Sequence, residues 1–143
     1  AGIKISFDFS DDSSKEYYEQ YAPYVDYAFC SFDGTDKEAK EHLEFIHSLG
    51  PELAFVTRGS KGCMMYDGNR FYVQPAKLID NVVDTMGAGD SFLTIFMDSY
   101  IDGLHNDMKK SDAITRALQE AAEFAAEICR IDGAFGYGIP YKD

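Results

Sequence analysis

Ile3 to Phe9 alternates β-branched and aromatic residues with polar ones and runs into Ser10-Asp11-Asp12, which predicts a strand and then a turn. Ser13 and Glu16 stand at capping-box spacing and predict a short helix to about Ala22, stopped by Pro23. Asp26 to Phe32 is a compact apolar run, the pattern of a strand buried on both faces. Thr35 and Glu38 repeat the capping box, and Ala39, Leu43 and Ile46 recur at helical intervals up to Gly50. Leu53 to Thr57 is a third apolar strand. Strand, helix, strand, helix, strand is the order of a parallel sheet covered by helices, so the expected class is α/β.

Beyond Thr57 the pattern changes. Cys63 to Tyr66 and Arg70 to Val73 flank Asp67-Gly68-Asn69, the chemistry of a β-hairpin turn. Farther on, an apolar helix is expected to start after Gly87 and Gly89, run through Ile101 and stop at Gly103. Ser111 is expected to open a last long helix with Ile114, Leu118, Ala121, Ala125 and Ile128 on one face. From Ile131 to Asp143 the chain is glycine-rich and irregular. It begins with Ala rather than Met and enters a strand pattern by Ile3, so residues 1–143 are read as part of a domain rather than all of it.

The balance of 45% apolar and 27% charged residues is that of an ordinary globular protein. Twenty-five acidic against 13 basic residues give a formal charge of −12, which repels a nucleic-acid backbone and leaves solubility as the simplest reading. No apolar run is long enough for a membrane helix, so neither nucleic acid nor membrane is an expected partner. Cys30, Cys63 and Cys129 are odd in number, far apart and without metal-ligand spacing. They read as small core residues of a reduced, cytoplasmic protein. His42, His47 and His105 read as surface residues, and the tyrosines at 17, 18, 21, 24 and 27 as packing rather than base-stacking groups.

The chemistry concentrates in Asp84-Thr85-Met86-Gly87-Ala88-Gly89-Asp90-Ser91-Phe92. Glycines directly before a helix let successive backbone N–H groups converge on an anion, and the helix dipole adds favourable potential. An acid at that helix start would repel phosphate if it faced it. Asp90 makes sense if it faces an incoming hydroxyl and takes its proton while the amides hold the transferring charge. Spacing alone leaves equally open a tight turn with Asp90 as a simple N-terminal helix acid. A Walker A loop, a complete dinucleotide fingerprint and a serine nucleophile elbow are all absent.

The stretch from Asp84 to Phe92 resembles the second signature of the pfkB, or ribokinase-like, carbohydrate kinases, Asp-Thr-x-Gly-Ala-Gly-Asp-x-Phe. Val56-Thr57-Arg58-Gly59-Ser60-Lys61-Gly62 resembles that family's Thr-x-Gly-x-x-Gly strand-end loop, and the hairpin falls where the family places one. The resemblance spans the chain but covers only the C-terminal half of a family member. It implies a three-layer αβα fold with a mostly parallel sheet, of which residues 1–143 would be the ATP-binding and catalytic portion.

The resemblance implies Asp90 as catalytic base and Gly87, Ala88 and Gly89 as an anion hole. Gly59 and Gly62 would line the ATP site, with Thr57 and Arg58 nearby and Asp84 and Thr85 contributing to cofactor binding. Asp84 and the Met86 carbonyl, with the stretch around Gly133, Ala134 and Gly136, would hold a monovalent cation such as K⁺; Asp84 as a plain turn cap is the other reading. Mg²⁺ would accompany ATP. Lys61 is a weaker candidate for a phosphate contact, and Gly89 is a position where a side chain would block phosphate and strain the backbone.

Two departures stand out. Relatives often carry Asn-x-x-Glu after the second strand, where this chain has Ser31-Phe32-Asp33-Gly34, with Asp33 a partial substitute or a solvated loop acid. They also often carry Asp-x-Asn where this chain reads Asp8-Phe9-Ser10. Within the family, residues 6–11, the Asp-Thr-Met variant and the tail from Gly133 to Gly138 are most similar to the fructoselysine 6-kinases. The implied activity is transfer of the ATP γ-phosphoryl group to a sugar or glycated amino acid. The alternatives are another pfkB kinase acting on fructose, ketodeoxygluconate, ribose or a nucleoside, or a nucleotide-binding module without turnover. The sugar-binding half and its lid, through which a homodimer would form, are expected outside these residues, and the 143 residues alone are expected to be inactive.

Overall fold

The structure is a computed structural model and describes residues 2–12 and 14–133. The chain divides into two compact units, Ala1–Pro75 and Ala76–Asp143. The first holds a five-stranded sheet in the order β1 (Ser6–Asp8), β2 (Tyr27–Ser31), β3 (Leu53–Thr57), β4 (Cys63–Tyr66) and β5 (Phe71–Gln74). β1, β2 and β3 pair in parallel, whereas β4 is antiparallel to both of its neighbours. Four of the five strands therefore share one direction, as the sequence pattern predicts for the first three.

Helix α1 (Lys15–Tyr21) and helix α2 (Asp36–Ser48) are the crossovers between the parallel strands. Their apolar residues share one cluster with one face of the sheet: Tyr18 from α1 and Leu43 and Ile46 from α2 join Cys30, Val56 and Met64. Tyr18 is fully buried, stacks on Phe9 at 4.4 Å and meets the edges of His42 and Phe45. Burial of one such side chain stabilises the fold by about 1.5–3 kcal/mol. The other face of the strands carries Phe29 and Phe55, stacked at 4.5 Å and also buried. This explains why β2 and β3 read as continuous apolar runs rather than alternating ones.

The capping box of α2 forms as expected: the Thr35 hydroxyl accepts from the Glu38 N–H, and the Glu38 carboxylate accepts from the Thr35 N–H at 2.8 Å. These bonds hold the Glu38 carboxyl below its ordinary range. At α1 the cap falls on Ser14, without a side-chain bond, and the expected Ser13 cap lies outside the described residues. β1 is shorter than the expected Ile3–Phe9: Ser6–Asp8 pair in register with Tyr27–Phe29, Ile5 and Phe9 bond β2 only at the ends of that ladder, and Ile3 and Ile5 are exposed. His42 corrects another expectation. It lies half-buried, stacked on Phe32 at 5.0 Å, and burial lowers its pKa. Of the tyrosines, Tyr18 and Tyr27 are buried, while Tyr21 and Tyr24 remain exposed. Cys30 and Cys63 are core residues, and burial pushes each thiol up to about 12.

The second unit is built on α3 (Ala88–His105) and α4 (Lys110–Ile128). The Arg116 guanidinium of α4 donates to the Ser99 carbonyl at 2.7 Å and pairs with Asp102 at 2.9 Å, tying it to α3. Gly103 does not end α3, which continues to His105. A Cβ on Gly103 would stand 2.9 Å from Ala113 Cβ, so this glycine serves close helix packing rather than a stop. α4 starts at Lys110, one residue before the expected Ser111, with Lys109 at the cap. Its buried face is made by Ala113, Ile114, Ala117, Leu118, Ala121, Ala122 and Ala126, rotated slightly from the expected stripe. Among the described residues no helix is long and apolar enough to cross a membrane. We expect Gly103→Val to overpack this contact and lower stability by about 1–3 kcal/mol, measurable as a lower midpoint in urea denaturation; an unchanged midpoint would show that the helices separate freely there.

Candidate functional site

In the first unit the polar residues gather where the parallel strands end. Ser31 and Thr57 are paired residues at the carboxyl ends of β2 and β3, with their hydroxyl oxygens 3.3 Å apart. Crevices at the carboxyl ends of parallel strands are where α/β sheets take their ligands. After Thr57 the chain makes a tight turn over Gly59–Lys61: the Gly62 N–H donates to the Gly59 carbonyl at 3.0 Å, and the Arg58 N–H donates to the Gly62 carbonyl at 2.8 Å. Gly59 (φ +52°) and Gly62 (φ +88°) both hold left-handed backbone, which explains the glycines at these two positions. No heavy atom lies within 4 Å of where a Cβ on Gly59 would stand, so the backbone there is open to a ligand.

The two cations of this turn behave differently. Arg58 has a side chain only 5% exposed, and it donates to the Gly34 carbonyl at 2.9 Å and pairs with Asp36 at 2.7 Å. Lys61 is half-exposed, donates to the same carbonyl at 3.2 Å and lies 3.8 Å from Asp33. Asp33 itself is fully exposed. At the end of β1, Ser10 takes left-handed backbone (φ +59°), held by its N–H donating to the Asp8 carboxylate at 2.8 Å. Its carbonyl accepts from the Ser31 N–H at 2.6 Å. Asp8, Ser10 and Ser31 thus join this cluster, although the sequence reading gave them no role.

In the second unit, Gly87 is the left-handed residue (φ +77°) that caps α3. The Ala88 N–H donates to the Thr85 carbonyl at 3.2 Å, closing the turn between Thr85 and the helix. The following N–H groups, of Gly89 and Asp90, are among the first of an α-helix and point out of its end. Asp90 is exposed, with its carboxylate in the first turn. Gly89 does not carry the strain expected of it: its φ is ordinary and the left-handed position is Gly87. A Cβ on Gly89 would nevertheless meet no heavy atom within 4 Å, so this helix end also presents open backbone.

Asp84 lies at the centre of a second knot. One of its carboxylate oxygens accepts the Met86 N–H at 3.0 Å and the other the Gly133 N–H at 3.1 Å. The Val83 N–H donates to the Cys129 carbonyl at 2.8 Å, holding the approach to Asp84 against the end of α4. The turn-cap role and the expected proximity to Gly133 therefore coexist in one residue. Both carboxylate oxygens of Asp84 are thus aimed at backbone N–H groups of the turn and of Gly133. Ala134 and Gly136 lie outside the described residues. Among the described residues no three His, Cys, Asp or Glu side chains cluster as a metal cage.

Residues 4–134 match the model of the pfkB family carbohydrate kinases. The chain is 40% identical over 141 residues to fructosamine kinase FrlD of Bacillus subtilis, with 98% of this chain and 46% of that protein covered. It is 30% identical over 135 residues to fructoselysine 6-kinase of Escherichia coli, covering 94% of this chain and 48% of that one. It spans about half the length of these curated relatives. Among solved structures, ribokinase of Giardia lamblia superposes with a TM-score of 0.77 at 18% identity, over 92% of this chain and 45% of that one. The likeness shows that the fold is ribokinase-like. Two glycine turns with open backbone, the Asp84–Asp90 signature on which one of them stands, and these similarities converge: the chain belongs to the pfkB family of carbohydrate kinases.

Proposed function

We propose that this chain is the nucleotide-binding and catalytic portion of an ATP-dependent sugar kinase that acts on a fructosamine such as fructoselysine. The observation that carries the reading is the head of α3, where a left-handed glycine, outward amides and an exposed carboxylate occur together. The choice of acceptor is supported by the names of the relatives at 40% and 30% identity, a fructosamine kinase and a fructoselysine 6-kinase.

In this reading Thr57, Gly59 and Gly62 receive the nucleotide through the turn after β3. The amides of Gly87, Ala88 and Gly89 stabilise negative charge on the group in transfer, aided by the positive end of α3. Bound MgATP supplies the γ-phosphoryl group and the metal charge that neutralises its oxygens. The acceptor hydroxyl oxygen bonds to γ-phosphorus as the bond to the ADP oxygen breaks, and Asp90 takes the hydroxyl proton late in the transfer. Asp84 and the Met86 carbonyl, with the stretch around Gly133, would hold a monovalent cation, and the Met86 and Gly133 N–H bonds to Asp84 keep that turn rigid with Thr85 inside it.

Assay of the full-length protein with MgATP against fructoselysine, fructose, ketodeoxygluconate, ribose and a nucleoside tests the reading. Fructoselysine-dependent ADP release should exceed that with the others, and nucleotide binding without turnover on any of them would replace the kinase reading with a binding module. In the same protein, Asp90→Asn should lower kcat about 10²–10⁴-fold with ATP affinity unchanged by calorimetry; near-normal turnover would remove Asp90 from the base role. Gly89→Val should raise the KM for ATP and lower kcat while leaving the thermal midpoint nearly unchanged, since the new side chain enters open space. Wild-type kinetics in that variant would show that phosphate charge is held elsewhere.

A further inference from the structure

Of the two cations beside the β3 turn, Arg58, expected near the ATP site, is turned inward by its geometry rather than left free to meet a ligand. Both terminal nitrogens of Arg58 are engaged within the protein, one on the Gly34 carbonyl at 2.9 Å and one on Asp36 at 2.7 Å. Its Nε is buried without a hydrogen-bond partner. A buried guanidinium nitrogen left unpaired is unfavourable, and an apolar side chain in the same space would avoid that. The contacts that Arg58 does make must therefore supply something other than bulk stability.

What they supply is visible in the main chain. Arg58 is the closing residue of the turn: its N–H donates to the Gly62 carbonyl and its carbonyl accepts from the Lys61 N–H at 3.1 Å. The residues it encloses include glycines with left-handed backbone at 59 and 62, which in isolation would sample many conformations. The anchor on the other side is rigid. Asp36 opens α2 inside the Thr35–Glu38 capping box, and Gly34 is packed so closely that a Cβ would meet the Phe32 ring at 2.6 Å. A well-fixed helix start thus holds one guanidinium, and that guanidinium holds the root of a turn made of permissive residues.

We propose that Arg58 is a positioning residue for the nucleotide: braced on Gly34 and Asp36, it pre-organises the Gly59–Gly62 turn so that its backbone meets phosphate without an ordering cost. The inference rests on the nucleotide-binding reading of that turn. It separates sharply from direct contact, because Asp36 affects the two in opposite ways. If Arg58 touched phosphate, freeing it from Asp36 would leave binding unchanged or tighter; if it braces the turn, losing Asp36 weakens binding.

The test uses the full-length protein with MgATP as the probe, in calorimetry and steady-state kinetics. Asp36 is largely exposed, so Asp36→Ala should fold normally, as a thermal melt will show. It should raise the Kd and KM for ATP several-fold, with kcat and the KM for the sugar unchanged. Arg58→Leu should raise them about tenfold, the scale of one charged hydrogen bond, and Arg58→Lys should restore only part of the loss. The double variant Asp36→Ala/Arg58→Leu should be no worse than Arg58→Leu, as expected of residues acting through one contact. ATP affinity unchanged or tightened in Asp36→Ala, with wild-type binding intact, overturns the bracing role alone. A wild-type protein that binds no MgATP overturns the functional reading and this inference with it.

Discussion

Parallel pairing of β1, β2 and β3 makes three consecutive strands leave the sheet at the same edge, and the chemistry of the first unit depends on that constraint. Because Ser31 lies opposite Thr57, the two following loops start side by side rather than at opposite ends. Phe32 donates its N–H to the Thr57 carbonyl at 2.9 Å, and Ser31 donates to Ser10, so the loops remain stitched one residue beyond the ladder. An antiparallel β2 would have sent residues 31–36 to the far edge, out of reach of Arg58 and Lys61. Here β4 is antiparallel instead, which is why the segment after β3 can be a turn of a few residues while the earlier connections need helices.

On the proposed nucleotide-binding reading, a chain with a formal charge of −12 must still receive a polyanion. Side-chain charge does not solve this at either glycine turn. Arg58 is engaged internally, Lys61 is shared with Asp33, and the N–H groups of Arg58, Lys61 and Gly62 donate to the turn's own carbonyls, so on that reading the positive potential would come from the remaining amides of the turn and from the head of α3. Backbone donors are fixed in place once the fold forms, which makes correct turn geometry more consequential than the count of lysines. The same logic accommodates Asp90, an acid in the first turn of α3, because a helix N-terminus stabilises a carboxylate as well as a phosphate.

Much of the fold was legible in sequence wherever local chemistry and tertiary packing agree. β3 occupies Leu53–Thr57 as its apolar run indicates, the Thr35–Glu38 box caps α2, and Asp67-Gly68-Asn69 turns the hairpin, with β5 displaced by one residue. The departures occur where packing outweighs a local signal. Gly103 reads as a helix stop but lies inside α3, because Ala113 approaches too closely for any side chain. Gly87 and Gly89 look equivalent in the motif, yet one supplies left-handed backbone and the other only open space. The Arg58 brace was invisible for a different reason. Its partners are a carbonyl, which every residue has, and an acid on the preceding crossover, 24 and 22 positions away, so no residue pattern marks it.

The burial of Cys30 and Cys63 has a chemical consequence besides packing. Burial pushes each pKa up to about 12, so both thiols stay protonated at neutral pH, and the core shields them from solvent. Aldehydes, ketones and mild oxidants therefore meet almost no sulfur nucleophile in the core of the first unit. Carbonyl adducts should fall on the exposed amines of the surface and oxidation on exposed sulfur such as Met86, leaving the packing beneath the glycine turn untouched.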